Sequence, residues 1–128
     1  MLIIRQDQMD AFQEYMENNF VRSLARDLRR EHPEEVADLN DAELYRRIDI
    51  GIEKATGHGL DDEYSLELFI MLMFTTAPNF DRHALFQDVL KTQEIPSEQR
   101  LDYAIEFSTD EDWREIEDNR DDSVWRSV

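Results

Sequence analysis

Residues 66–77 set the strongest constraint on what this chain can fold into. Leu66, Leu68, Phe69, Ile70, Met71, Leu72, Met73 and Phe74 are apolar around nearly the whole circumference of a helix, Glu67 is the one charge in the run, and Pro78 stops it. Such a helix has to be covered by neighbours on most sides. The run is about half of the roughly 20 residues that a bilayer span requires, so it reads as the buried centre of a globular domain. Its methionines and phenylalanines also suit an adaptable groove for a partner helix, but interior packing is the ordinary fate of an apolar run.

The rest of the chain supplies the cover. Met9, Phe12, Met16, Phe20, Leu24 and Leu28 recur every three or four residues, which predicts an amphipathic helix over residues 5–31 that Pro33 limits. A short turn is expected after Pro33. Asn40 with Glu43 has the form of an N-terminal cap with a reciprocal carboxylate, opening a helix over 41–57 with Leu44, Ile48, Ile52 and Ala55 on one side. Gly51 on that face implies a close helix approach, and Gly57 and Gly59 suit a helix end. Asp61 and Asp62 place negative charge where the central helix, about 64–77, begins.

Beyond Pro78, Asn79, Phe80 and Asp81 look like a turn and cap before a helix over 82–92, with Leu85, Phe86, Val89 and Leu90 inward. Pro96 and Ser97 open a further helix with Leu101, Ala104 and Ile105 inward and Phe107 as another inward candidate. Ser108 or Thr109 starts a last segment, and Ser108 with Glu111 matches capping-box spacing, predicting a helix to about residue 118 and then a frayed acidic tail. The expected fold is all-α, a compact bundle of five or six helices around the central one. Residues 1–108 form the helical domain, and residues 109–128 an acidic, partly helical extension.

Charge narrows the partners. The 128 residues carry 14 Lys and Arg against 31 Asp and Glu, a formal charge of −17, and residues 61–128 hold 18 of the acidic groups with 6 basic ones. That field repels phosphate backbones and anionic headgroups and attracts basic proteins, so neither nucleic acid nor membrane is an expected partner. Cysteine is absent, which excludes thiolate chemistry. The N-terminal apolar stretch turns polar at Gln6, far short of a secretory h-region, so a cytoplasmic location is expected.

No catalytic motif stands out. His32, His58 and His83 are singletons without a second histidine at metal-ligand spacing, and Asp110 with Asp112 fails as a calcium loop because Glu115 stands where glycine is required. None of the three glycines lies in a nucleophile elbow or a phosphate loop. Carboxylate pairs are too frequent to mark acid-base catalysis. The reading is a non-enzyme without catalytic, cofactor-binding or metal-binding residues; a hydrolase using scattered carboxylates is the weakest alternative. Arg22, Arg26, Arg29 and Arg30 lie near acidic neighbours at the end of the first helix, where positive charge is favourable. What remains is a protein-binding module for a partner with a basic surface, with Trp113, Glu117, Asp118, Asp121, Asp122 and Trp125 as the candidate contact residues.

Residues 4–12 (Ile-Arg-Gln-Asp-Gln-Met-Asp-Ala-Phe), residues 51–55 (Gly-Ile-Glu-Lys-Ala) with Gly59, and Leu72-Met73-Phe74 followed by Phe80-Asp81 together resemble a family of small bacterial proteins. Those proteins are similar to accessory products encoded beside type VI secretion spike and effector genes. The likeness covers about residues 1–107; Ala77-Pro78-Asn79 stands here where the family has a Gly-Pro turn, and the family's following Pro-Trp pair is absent. The resemblance implies an adaptor or chaperone for an effector or spike component, or an immunity protein that inhibits a cognate toxin.

Overall fold

The structure, a computed structural model, describes the backbone of residues 6–126 and the side chains of residues 17–126. The predicted inward positions Met9, Phe12 and Met16 therefore lie outside the described side chains. All regular structure among the described residues is helical: α1 (Gln6–Glu31), α2 (Pro33–Val36), α3 (Asp41–Gly57), α4 (Glu63–Thr75), α5 (Ala84–Leu90), α6 (Ser97–Phe107) and α7 (Asp110–Asp118), with 3-10 turns at Phe80–Arg82 and Asp122–Arg126. No helix among them is long and apolar enough to cross a membrane.

The apolar run sits at the centre, as its composition requires. α3 packs along α4 on one side and α6 on another, α1 lies on α3 and α5 on α6, so two helix pairs flank α4. Phe69, Ile70 and Met73 are fully buried there, with Phe74 almost so. Gly51 explains how closely α3 approaches: a Cβ at this position would stand 2.6 Å from Ile70 Cγ1. The 0.8–1.0 kcal/mol or so of helix propensity that glycine forgoes thus permits a close contact between α3 and α4.

The helix ends follow local chemistry. Asn40 Oδ1 accepts from Glu43 N–H at 2.8 Å, and Asp62 Oδ2 accepts from Ser65 N–H at 3.0 Å. At the end of α3, Gly59 takes a φ of +85°, Gly59 N–H reaches Thr56 O at 2.9 Å, and Leu60 N–H reaches Ala55 O at 3.0 Å. This is a Schellman closure, completed by contact of the fully buried Leu60 and Ala55 with the core.

Four expectations need correction. The Glu43 carboxylate does not return to the Asn40 backbone; it holds Arg46 and Arg47. The capping box of α7 lies one residue later than predicted, between Thr109 and Asp112, because Ser108 Oγ is engaged by Ile105 O at 2.6 Å and Trp113 Nε1 at 2.8 Å. Phe107 faces outward, 58% exposed. The chain beyond residue 118 does not run off as a tail: Asp122–Arg126 forms a turn that buries Val124 and Trp125 against the core.

Candidate partner-binding surface

The C-terminal segment is fastened by polar groups of the 76–83 loop. Asn79, 8% exposed, donates from Nδ2 to Asn119 O at 2.9 Å and accepts Asp121 N–H on Oδ1 at 2.9 Å, so one side chain satisfies two backbone groups about 40 residues away. Arg82 pairs with Asp121 at 3.1 Å, and His83 Nε2 meets Glu115 Oε2 at 2.8 Å. The amide and hydroxyl of Ser123, then Arg82, hold the Asp121 carboxyl below the usual carboxylate range.

This docking redistributes the six predicted contact residues. Trp125 is 3% exposed, its ring 4.9 Å from Phe74 with the Arg47 guanidinium 5.2 Å above it. A side chain enclosed by its own core is not exposed to anchor a partner, so the expected contact role of Trp125 does not fit its burial. Trp113 is half-buried, bonded to Ser108 and edge-on to Phe86 at 5.8 Å. Asp121 is half-buried in the fastening, and the exposed Asp122 holds Arg120 at 2.9 Å. Glu117 and Asp118 face solvent.

The side chains suited to anchor a partner lie on α6 and at the start of α4. Tyr64, Tyr103 and Phe107 are the exposed large hydrophobic side chains among the described residues. Two of them form a ridge, and the third borders it. Tyr103 and Phe107 stack on α6 with ring centroids 4.6 Å apart, while the Tyr64 hydroxyl, from the start of α4, donates to Asp102 at 2.8 Å. That hydrogen bond to a carboxylate holds the phenol above its ordinary range. Asp102 and Glu106 are exposed along the same helix. At about 100° per residue, Asp102, Glu106, Tyr103 and Phe107 fill a continuous arc of α6 opposite the buried Leu101 and Ala104. The ridge is therefore aromatic on one flank and acidic on the other. Helical phase contained the signal: Phe107 lies ~110° from the middle of the inward arc set by Leu101, Ala104 and Ile105, too far round to reach the core.

Two further clusters bring distant residues together. Asp81, 4% exposed, accepts on Oδ2 from His58 Nε2 at 2.8 Å and Lys54 Nζ at 3.2 Å, while its Oδ1 is buried without a partner. Burial alone would raise this carboxyl; the His58 hydrogen bond and the Lys54 charge outweigh it and leave the group below its ordinary value. The contact ties the end of α3 to the turn before α5.

His83, Asp112 and Glu115 set three possible metal-ligand atoms within 4.8 Å of one another, a grouping that linear spacing could not reveal across 29 residues. The hydrogen bonds argue for a different use. His83 Nδ1 accepts Leu85 N–H at 3.2 Å and so caps α5, which places the ring proton on Nε2, facing Glu115. A metal at Nε2 would need that proton moved to Nδ1, where the Leu85 amide already points.

No family model, curated protein or solved structure matches the chain.

Proposed function

We propose that this chain is a protein-binding module that docks a basic partner on the Tyr103–Phe107 ridge bordered by Tyr64, serving as an adaptor or chaperone for a type VI secretion effector or spike component. The observation that carries the binding role is the ridge itself. Its stacked aromatic rings lie open to water beside Asp102 and Glu106, the pairing of apolar anchor and charged rim that concentrates binding energy in interfaces. Aromatic side chains contribute large contact area at low conformational cost, and adjacent carboxylates steer a cationic surface onto them. The secretion-locus role is supported by the sequence resemblance at residues 4–12, 51–55 and 72–81.

The test is affinity capture from the native host with the wild-type chain and with a Tyr103→Ala, Phe107→Ala double variant. The expected result is a basic partner retained at low salt, weakened at high salt, and lost from the double variant while the helical content stays unchanged. Equal retention by both chains would remove the ridge from the interface. The same acidic rim would suit an immunity protein covering a basic toxin, and deletion separates the two readings: an adaptor's loss stops export of its cargo, whereas an immunity protein's loss poisons the cell.

A further inference from the structure

On a different part of the molecule the charge is inverted. Near the start of α3, Glu43, Arg46 and Arg47 face Arg120, Asp122, Trp125 and Arg126 of the C-terminal segment across a cleft of about 440 Å³. Four guanidinium groups and two carboxylates line it, in a chain whose total is 14 basic against 31 acidic residues. The two carboxylates are already engaged. Glu43 takes Arg46 Nε at 2.9 Å and Arg47 Nε at 3.0 Å, and Asp122 takes Arg120 Nε at 2.9 Å. So firmly do the two arginines hold Glu43 that its carboxyl is lowered to about 2.

We infer that this cleft is a phosphate-binding site assembled across the junction of α3 and the docked C-terminal segment. Counting the lining groups leaves two positive charges in excess, which matches the charge of about −1.5 to −2 on a phosphate monoester near neutral pH. The arginines are also held in place. Carboxylate contacts orient Arg46, Arg47 and Arg120, and the Trp125 ring supports Arg47 from beneath at 5.2 Å. A ligand meeting them therefore loses little side-chain entropy on binding. The volume lies within the range of ordinary small-molecule clefts, about 300–1,000 Å³. The overall charge of −17 selects among phosphate sources: a polyanion would suffer repulsion from the whole surface, whereas a single phosphate group inside the cleft senses chiefly its local lining. The expected ligand is inorganic phosphate or a small phosphomonoester.

Because four of the seven lining residues come from residues 120–126, occupancy must also stabilise the docking of that segment. The test is a two-dimensional NMR titration of the full chain with inorganic phosphate and, in a parallel arm, with glycerol phosphate, at ionic strength held constant with chloride. Saturable shifts are expected at residues 43–47 and 120–126 and at the Trp125 indole N–H, with slower amide exchange over 120–126. A preference for one arm identifies the source. Arg126→Gln, an exposed position, should weaken binding about tenfold, the loss of one charge-assisted contact, with an unchanged melting temperature. Arg46→Gln serves as the second variant. Absence of saturation, equal affinity in both variants, or equal shifts with acetate in place of phosphate would each overturn the site.

Discussion

The α3–α4 pair and the C-terminal segment are both ordered, and for opposite reasons. Between α3 and α4 the contact is apolar and close, with Gly51 admitting Ile70 and with Leu44, Ile48, Phe69 and Met73 fully buried around it. Over residues 110–126 only Ile116, Val124 and Trp125 are buried in the core, with Trp113 packed partly against it, and the rest of the fastening is polar: Asn79 on two backbone groups, Arg82 on Asp121, His83 on Glu115. An acidic stretch with few apolar residues can thus be held down when a neighbouring loop supplies hydrogen bonds of fixed geometry. The cost is a smaller margin, since each polar contact yields about 0.5–1.5 kcal/mol net against several for a buried aromatic ring.

Substitution should separate the two regimes, and Phe69→Ala should have the largest effect. Phe69 has no exposure and packs its ring 4.8 Å from Phe80 and 5.7 Å from His58. Its truncation should cost about 3–5 kcal/mol and lower the protection of every helix together in native-state hydrogen exchange. Selective loss in the C-terminal segment alone would break the contrast.

Trp125→Ala should come next, at about 2–3 kcal/mol, because the segment can undock before the full cavity penalty is felt. Amides of 119–126 should exchange faster while α3 and α4 keep their protection. A third step sharpens the polar side of the comparison. Asn79→Ala strands Asn119 O and Asp121 N–H, both otherwise satisfied by that side chain, and should cost about 1–2 kcal/mol, again confined to the segment. Chemical denaturation combined with hydrogen exchange measures both the magnitude and the confinement.

The same contrast explains what the sequence made legible. Helical periodicity located α1, α3 and α6 because burial on one face leaves a repeating trace, as in Leu44, Ile48 and Ala55, while an unbroken apolar run located α4. Gly51, Gly59 and Asp62 could be assigned roles because helix approach and helix ends are local problems. The C-terminal fastening left no such trace. Asn79 reaches Asn119, His83 reaches Glu115, and Trp125 reaches Phe74 across gaps of tens of residues, and no spacing rule connects them. Phe107 follows its helical phase and not its hydrophobic type, and the exposed ridge is legible only from that phase.

Acidification should produce the smallest effect, and two of the lowered carboxyls, Asp81 in the body and Asp121 in the fastening, give its direction. Asp81 sits below its ordinary 3.8 because the His58 and Lys54 contacts outweigh its burial, and Asp121 does so through Ser123 and Arg82. A carboxyl lowered in the folded state contributes stability that is present above its unfolded value and is lost as pH falls through the folded one. Both contributions should therefore persist down to about pH 4 and fade only below it. They should fade in different places: Asp81 joins α3 to the 80–82 turn, so its protonation loosens the body, whereas Asp121 belongs to the fastening and is solvent-screened, so its protonation changes exchange only over 119–126. In Asp81→Asn the body's acid response should flatten while that of the segment remains, and Asp121→Asn should do the reverse. Melting curves and amide exchange between pH 6 and pH 3 test the pair; a segment that loosens above pH 5 would show that its hold depends on groups other than these two.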